Sequence, residues 1–309
     1  MNHDRVYPFT RAVAVLVLPF LAAASILLYL FPTRTEELFA WTINPPLTAM
    51  FLASAYLGGI WFFVGVMVAA RWHRVAPGFP AVVVFSFLLA MATLMHWDRF
   101  HHGHISFITW AVLYLTTPIL VLIAMITNSR VYTGRPERRE YEMPLLVRLL
   151  PILIGLCALV IGVLMYVSPE AFIGVWPWEL TPLTSRVVAA VLTLPGMVNL
   201  WLTFESRWSS FRLVFQAQLI SLAFICLALV LAGGDLDWSR PATPWFVAGM
   251  IGSFVVYAAF YAYCWLRSRA MTAEDEVLDG RESPEAAAAD PVETHGDGDP
   301  VETQGDGNP

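Results

Sequence analysis

Residues 45–70 read PPLTAMFLASAYLGGIWFFVGVMVAA, without a single charge. About 20 apolar residues in a helix cross the ~30 Å hydrocarbon core of a bilayer, so this stretch is a membrane span. Pro45 suits a first helical position, where the missing N–H has no helical partner, and Asn44 is placed to cap it. Seven further apolar runs lie near 12–31, 79–97, 104–126, 145–167, 182–203, 211–232 and 243–266. Thr181 before Pro182 and Thr243 before Pro244 repeat the same punctuation. The expected fold is an all-α integral membrane protein with eight transmembrane helices.

Composition agrees. Hydrophobic residues make up 58% of the 309 positions and charged residues 14%, against about 25% charge in soluble domains. The chain has no lysine, so all 18 basic residues are arginine. That removes a retinal or pyridoxal Schiff base, which needs a lysine amine, and a Walker phosphate loop. Cys157, Cys226 and Cys264 fall inside apolar runs without a CxxC partner and read as small core residues. No catalytic constellation stands out, and the weight falls against an enzyme.

The arginines set an expected orientation. Arg5, Arg11, Arg71, Arg74, Arg130, Arg135, Arg138, Arg139, Arg207, Arg212, Arg267 and Arg269 gather on one side, with Arg34, Arg99, Arg186 and Arg240 on the other. The positive-inside rule makes the richer side, with both termini, cytoplasmic, in a plasma (cytoplasmic) membrane. The first run is longer than a signal-peptide core and lacks an A-x-A-like site, so it reads as a retained helix. Trp41, Trp97, Trp176, Trp178 and Trp238 near the outer boundary, and Trp72, Trp208 and Trp265 near the inner one, read as an aromatic belt. Residues 268–309 read as a disordered acidic tail, poor in aromatics and carrying a near-repeat of Asp290–Gly298.

Residues 1–267 form the membrane domain, and it reads as a duplication. Tyr29-Leu30-Phe31-Pro32 is matched by Tyr166-Val167-Ser168-Pro169, and Pro46-Leu47-Thr48 by Pro182-Leu183-Thr184. Repeats of about 7–130 and 141–267, four helices each, would be parallel and related by an axis along the membrane normal. Gly58-Gly59 and Pro195-Gly196 interrupt corresponding spans midway. Such breaks free backbone groups at bilayer depth and point to a midplane binding site, with close helix packing as the plainer reading. Candidate binding residues are Gly58, Gly59, Pro195 and Gly196, together with Trp41, Asn44, Pro45 and Thr48 at the outer helix start.

Four histidines share a second candidate site, His96-Trp97-Asp98-Arg99-Phe100-His101-His102-Gly103-His104. His96, Asp98, His101, His102 and His104 are candidate metal ligands, since imidazole and carboxylate suit zinc, copper, nickel or iron. The spacing fits no standard metal motif, and an interfacial loop is the plainer reading. Haem on His96 and His104 is the less favoured form of the idea.

No Asp, Glu, Arg or His is expected near the centre of any span, which argues against a proton relay. Asn199, Gln216 and Gln218 are expected to hydrogen-bond between helices. Three functions stay open: a permease for a small neutral or apolar molecule, a redox or metal protein using the histidine loop, and a non-catalytic subunit of a membrane complex. The expected partners are the lipid bilayer and a small-molecule ligand, with no nucleic acid; oligomeric state stays open.

Overall fold

The computed structural model describes residues 4–130 and 140–288, with side-chain surroundings described as far as residue 273. Eight long helices follow one another: α1 (Pro8–Leu30), α2 (Pro46–Val68), α3 (Gly78–Met95), α4 (Ile105–Ser129), α5 (Leu145–Val167), α6 (Pro182–Trp201), α7 (Trp208–Leu231) and α8 (Ala242–Ala288). All eight contain a segment long and apolar enough to cross a membrane. The chain is a multi-pass membrane protein. Among the described residues the connections include short 3₁₀ turns and two small helices, Thr35–Leu38 and Pro169–Ile173.

Compact packing divides the chain after Ser268. The second unit, Arg269–Pro309, is helical to Ala288; the rest of the expected acidic tail falls outside the described residues. In the first unit α1 packs on α2, α5 on α6, α2 on α7 and α3 on α6. α2 and α6 are the central pair. In the apolar window of α6 72% of residues are buried, against 22% in α5, so α5 turns most of its Leu and Val side chains outward. α5 and α6 approach closely: a Cβ on Gly155 would lie 2.5 Å from Asn199 Cβ, and one on Gly196 2.6 Å from Leu159 Cβ. Small residues let membrane helices meet at this distance, where packing rather than water drives association.

Three expectations need correction. Asn44 is exposed and caps nothing: α2 begins at Pro46, after a cis Asn44–Pro45 bond. The Leu47 N–H instead donates to the Asp235 carboxylate at 2.8 Å, a cap supplied from the α7–α8 connection. Thr243 lies inside the first turn of α8, its hydroxyl donating to the Asp237 carbonyl; Thr181 does cap α6, through a capping box with Thr184. The tryptophan belt is mostly core. Trp41, Trp72, Trp176, Trp178 and Trp208 are buried, while Trp97 and Trp238 are exposed, because the first group stacks on aromatics of neighbouring helices.

Candidate functional site

The expected interruptions do not break the helices: α2 runs on through Gly58-Gly59 and α6 through Pro195-Gly196. The two helices carry these residues to the middle of the bundle, where a cavity of about 150 Å³ opens. Gly58, Gly59 and Pro195 line it; Gly196, turned toward α5, does not. The space exists because Ala55, Gly58, Gly59, Ala81, Ala158 and Ala217 leave the wall short of side-chain volume. Gly58 also fixes the approach of α2 to α7: a Cβ there would lie 2.0 Å from Ser221 Oγ and 2.5 Å from the Ala217 carbonyl oxygen. Pro195 has no N–H for the Val191 carbonyl one turn back, and Val191 also lines the cavity. The volume is of the order that a molecule of benzene dimensions occupies, and most of the lining is apolar.

One wall is polar. Gln218, Ser221, Ser253 and Tyr257 line it from α7 and α8. Behind them the Gln218 amide donates to Asn199 Oδ1 at 3.3 Å, and Asn199 Nδ2 donates to the Tyr257 hydroxyl. Asn199 and Tyr257 are fully buried, and Gln218 Oε1 is buried without a hydrogen-bond partner. Gln216 links Trp61 on α2 to Tyr261 on α8, at 3.1 and 2.7 Å. The three amides therefore join helices, as their positions in apolar runs suggested. That Gln218 also faces a cavity was not legible, since it depends on which helices surround α7.

At the end of the bundle bearing the histidine loop, the other candidates are dispersed. Trp41 is buried among Phe39, Phe100 and Trp110. Thr48 accepts a hydrogen bond from Trp178 Nε1 at 2.8 Å. His101 bonds the Phe39 carbonyl and the Thr42 hydroxyl. His104 caps α4 through the Ser106 N–H, and His102 stacks between Trp97 and Phe107. Asp98 pairs with Arg99 in the open. His96 accepts from Arg186 of α6, and burial together with that positive charge lowers its pKa. Among the described residues no three His, Cys, Asp or Glu side chains come together as a metal site.

Sequence reasoning used Arg186 only to set the orientation; it is a buried residue, the fifth of α6. It also left His73 aside. That imidazole, buried at the opposite, arginine-rich end, lies between Asp4 and Glu140, and Glu140 accepts from the Ser209 hydroxyl at 2.7 Å. Burial opposes its charge, yet hydrogen bonds to the two carboxylates hold the His73 pKa above the ordinary value. The His73 hydrogen bond brings Glu140 down to about 2. The cluster ties the N-terminal segment, the α2–α3 connection and the start of α7 together.

Comparison with known protein families, curated proteins and solved structures finds no match.

Proposed function

We propose that the chain is a permease for a small, neutral, mainly apolar molecule, which binds in the cavity between α2, α3, α6 and α7. The carrying observation is that the glycine pair of α2, Gly58-Gly59, and the internal proline of α6, Pro195, border the same cavity. Sites near the bilayer midplane, at the meeting of two structural repeats, are a common transporter arrangement.

The repeat reading has its own support, in hydrogen bonds that recur 136 or 137 positions along the chain. The Tyr29 hydroxyl donates to the Phe224 carbonyl, and the Tyr166 hydroxyl to the Leu88 carbonyl. The Trp72 N–H donates to the Asp4 carbonyl, and that of Trp208 to Tyr141. The His101 N–H donates to Ala40, and that of Asp237 to Pro177. Arg11 reaches the Ala69 carbonyl as Arg148 reaches that of Glu205. The aromatic trio Phe39, Trp41 and Trp110 has its counterpart in Trp176, Trp178 and Phe246. Cavity-lining residues pair by the same rule: Ala55 with Val191, Gly59 with Pro195, Phe62 with Val198, Ala81 with Ala217. The cavity then lies on the axis between two parallel four-helix halves. The arginine distribution supports a cytoplasmic arginine end.

The test is thermal unfolding of the detergent-purified protein against benzene, indole, short-chain alcohols and glycerol, beside the cavity-filling variant Ala158→Leu. A neutral apolar probe should stabilise the native protein and lose its effect in the variant, and proteoliposomes should pass that probe faster than protein-free vesicles. If no probe stabilises the native protein and fluxes match, the space is a packing void and the proposal fails.

A further inference from the structure

Arg186 is the fifth residue of α6, about 6 Å from the helix start at 1.5 Å per residue, and is only 9% exposed. One guanidinium nitrogen, Nη1, is 2.7 Å from His96 Nε2. Its Nε is buried without a hydrogen-bond partner. A guanidinium has hydrogens to give and none to accept, so the His96 nitrogen it meets is bare and the imidazole is neutral. The remaining ring proton is on Nδ1, a second donor.

The pair therefore carries one positive charge, and among the described residues no carboxylate forms an ion pair with Arg186; Asp98 and Glu170 act on His96 only from a distance. Asp98 is engaged with Arg99 in solvent, and Glu170 is exposed; neither is within ion-pairing distance of Arg186. Buried charges are ordinarily paired, since the loss of hydration is otherwise unrepaid. The fold itself does not need the charge: on the repeat reading, the positions equivalent to Arg186 and His96 are Met50 and Ala232.

We propose that Arg186 and His96 form a binding site for a small oxyanion, a carboxylate or phosphate group, at the histidine-loop end between α3 and α6. The guanidinium fork matches two oxygens of such a group. The site is separate from the central cavity, whose lining includes neither residue. The anion comes either dissolved in water or as the phosphate of a lipid headgroup, which lies at this depth of a bilayer.

The experiment follows thermal unfolding of the delipidated full-length protein in a neutral detergent. Sodium phosphate and sodium acetate are titrated against sodium chloride at equal ionic strength, and phosphatidylglycerol against phosphatidylcholine in mixed micelles. The native protein should gain about 3 °C or more, saturably, from at least one oxyanion form. Response to free phosphate or acetate identifies a soluble ligand; response to phosphatidylglycerol alone identifies a lipid. Arg186→Met should melt no lower than the native protein in chloride and should lose the response. Should Arg186→Met fail to fold, His96→Ala takes its place, with anion affinity expected to fall at least threefold. No response from the native protein, or an equal response from the variant, overturns the proposal.

Discussion

On the repeat reading proposed above, residues 136 or 137 positions apart make matching bonds, while the two halves bring different side chains to the central cavity. Tyr29 and Tyr166, Trp72 and Trp208, and Arg11 and Arg148 each make the bond that their counterpart makes. Around the cavity the side chains differ. Gln218 stands where the first half has the lining residue Val82, and the positions matching Ser221 and Tyr257, Phe85 and Val121, lie outside the lining. On that reading the recurring bonds are those directed at the backbone, which fix helix positions, while a wall facing empty space is constrained only in volume. The histidine loop lies in the first half, whereas the polar side chains lining the cavity, Gln218, Ser221, Ser253 and Tyr257, all belong to the second.

The harshest way to break the comparison is at Gly58, whose counterpart is Leu194. Despite that, Gly58→Leu should abolish folding, since even a Cβ would meet the Ala217 carbonyl oxygen at 2.5 Å; overpacking costs about 1–3 kcal/mol and more against backbone. Gly59→Ala meets only Leu21 Cδ1 at 3.3 Å and should purify normally. Size-exclusion chromatography separates the two outcomes, and a monodisperse Gly58→Leu would refute the assigned α2–α7 contact.

A second effect concerns His73, whose counterpart is Ser209. Its raised folded pKa means that its contribution is complete below its ordinary value of 6.5 and is lost as pH rises through the higher folded value. Glu140, depressed to about 2 from 4.5, contributes fully above pH 4.5 and loses that contribution as pH falls. Melting temperature should therefore be highest between these ordinary values and fall on the alkaline side by on the order of a few degrees. His73→Ser, which makes the halves alike, should flatten the alkaline limb; an unchanged limb would assign the effect elsewhere.

Converting Gln218 to its counterpart, Val, sharpens the cavity comparison. Membrane hydrogen bonds average about 0.6 kcal/mol, and the change also removes the unpartnered Oε1, so stability should move by less than about 1 kcal/mol. Binding of any alcohol found to stabilise the protein should weaken, while that of benzene should not. Equal losses for both would mean that the polar wall does not discriminate. The smallest effects belong to Tyr29→Phe and Tyr166→Phe, about 1 kcal/mol or less each. Their near-equality in chemical unfolding is the point, and a large inequality would count against equivalent roles.

Much of this architecture was legible residue by residue. A run such as 45–70 has one way to hide its backbone polar groups in lipid, as a helix, so the eight spans follow from the chain alone. Gly58-Gly59 and Pro195-Gly196 stood out within such runs, but the helices pass through them unbroken. The sequence could not say that Gly58, Gly59 and Pro195 share a cavity while Gly196 packs against α5, because helical facing depends on the neighbours a helix receives. Nor could it say that Asp235 caps α2 across 188 positions, that five tryptophans are core rather than belt, or that Arg186 is buried beside His96. Apolarity decides that a segment enters the membrane, a one-dimensional property of the chain. Which side chains then meet is decided by packing, since in lipid it is contact between helices, and not hydrophobicity, that selects the partner.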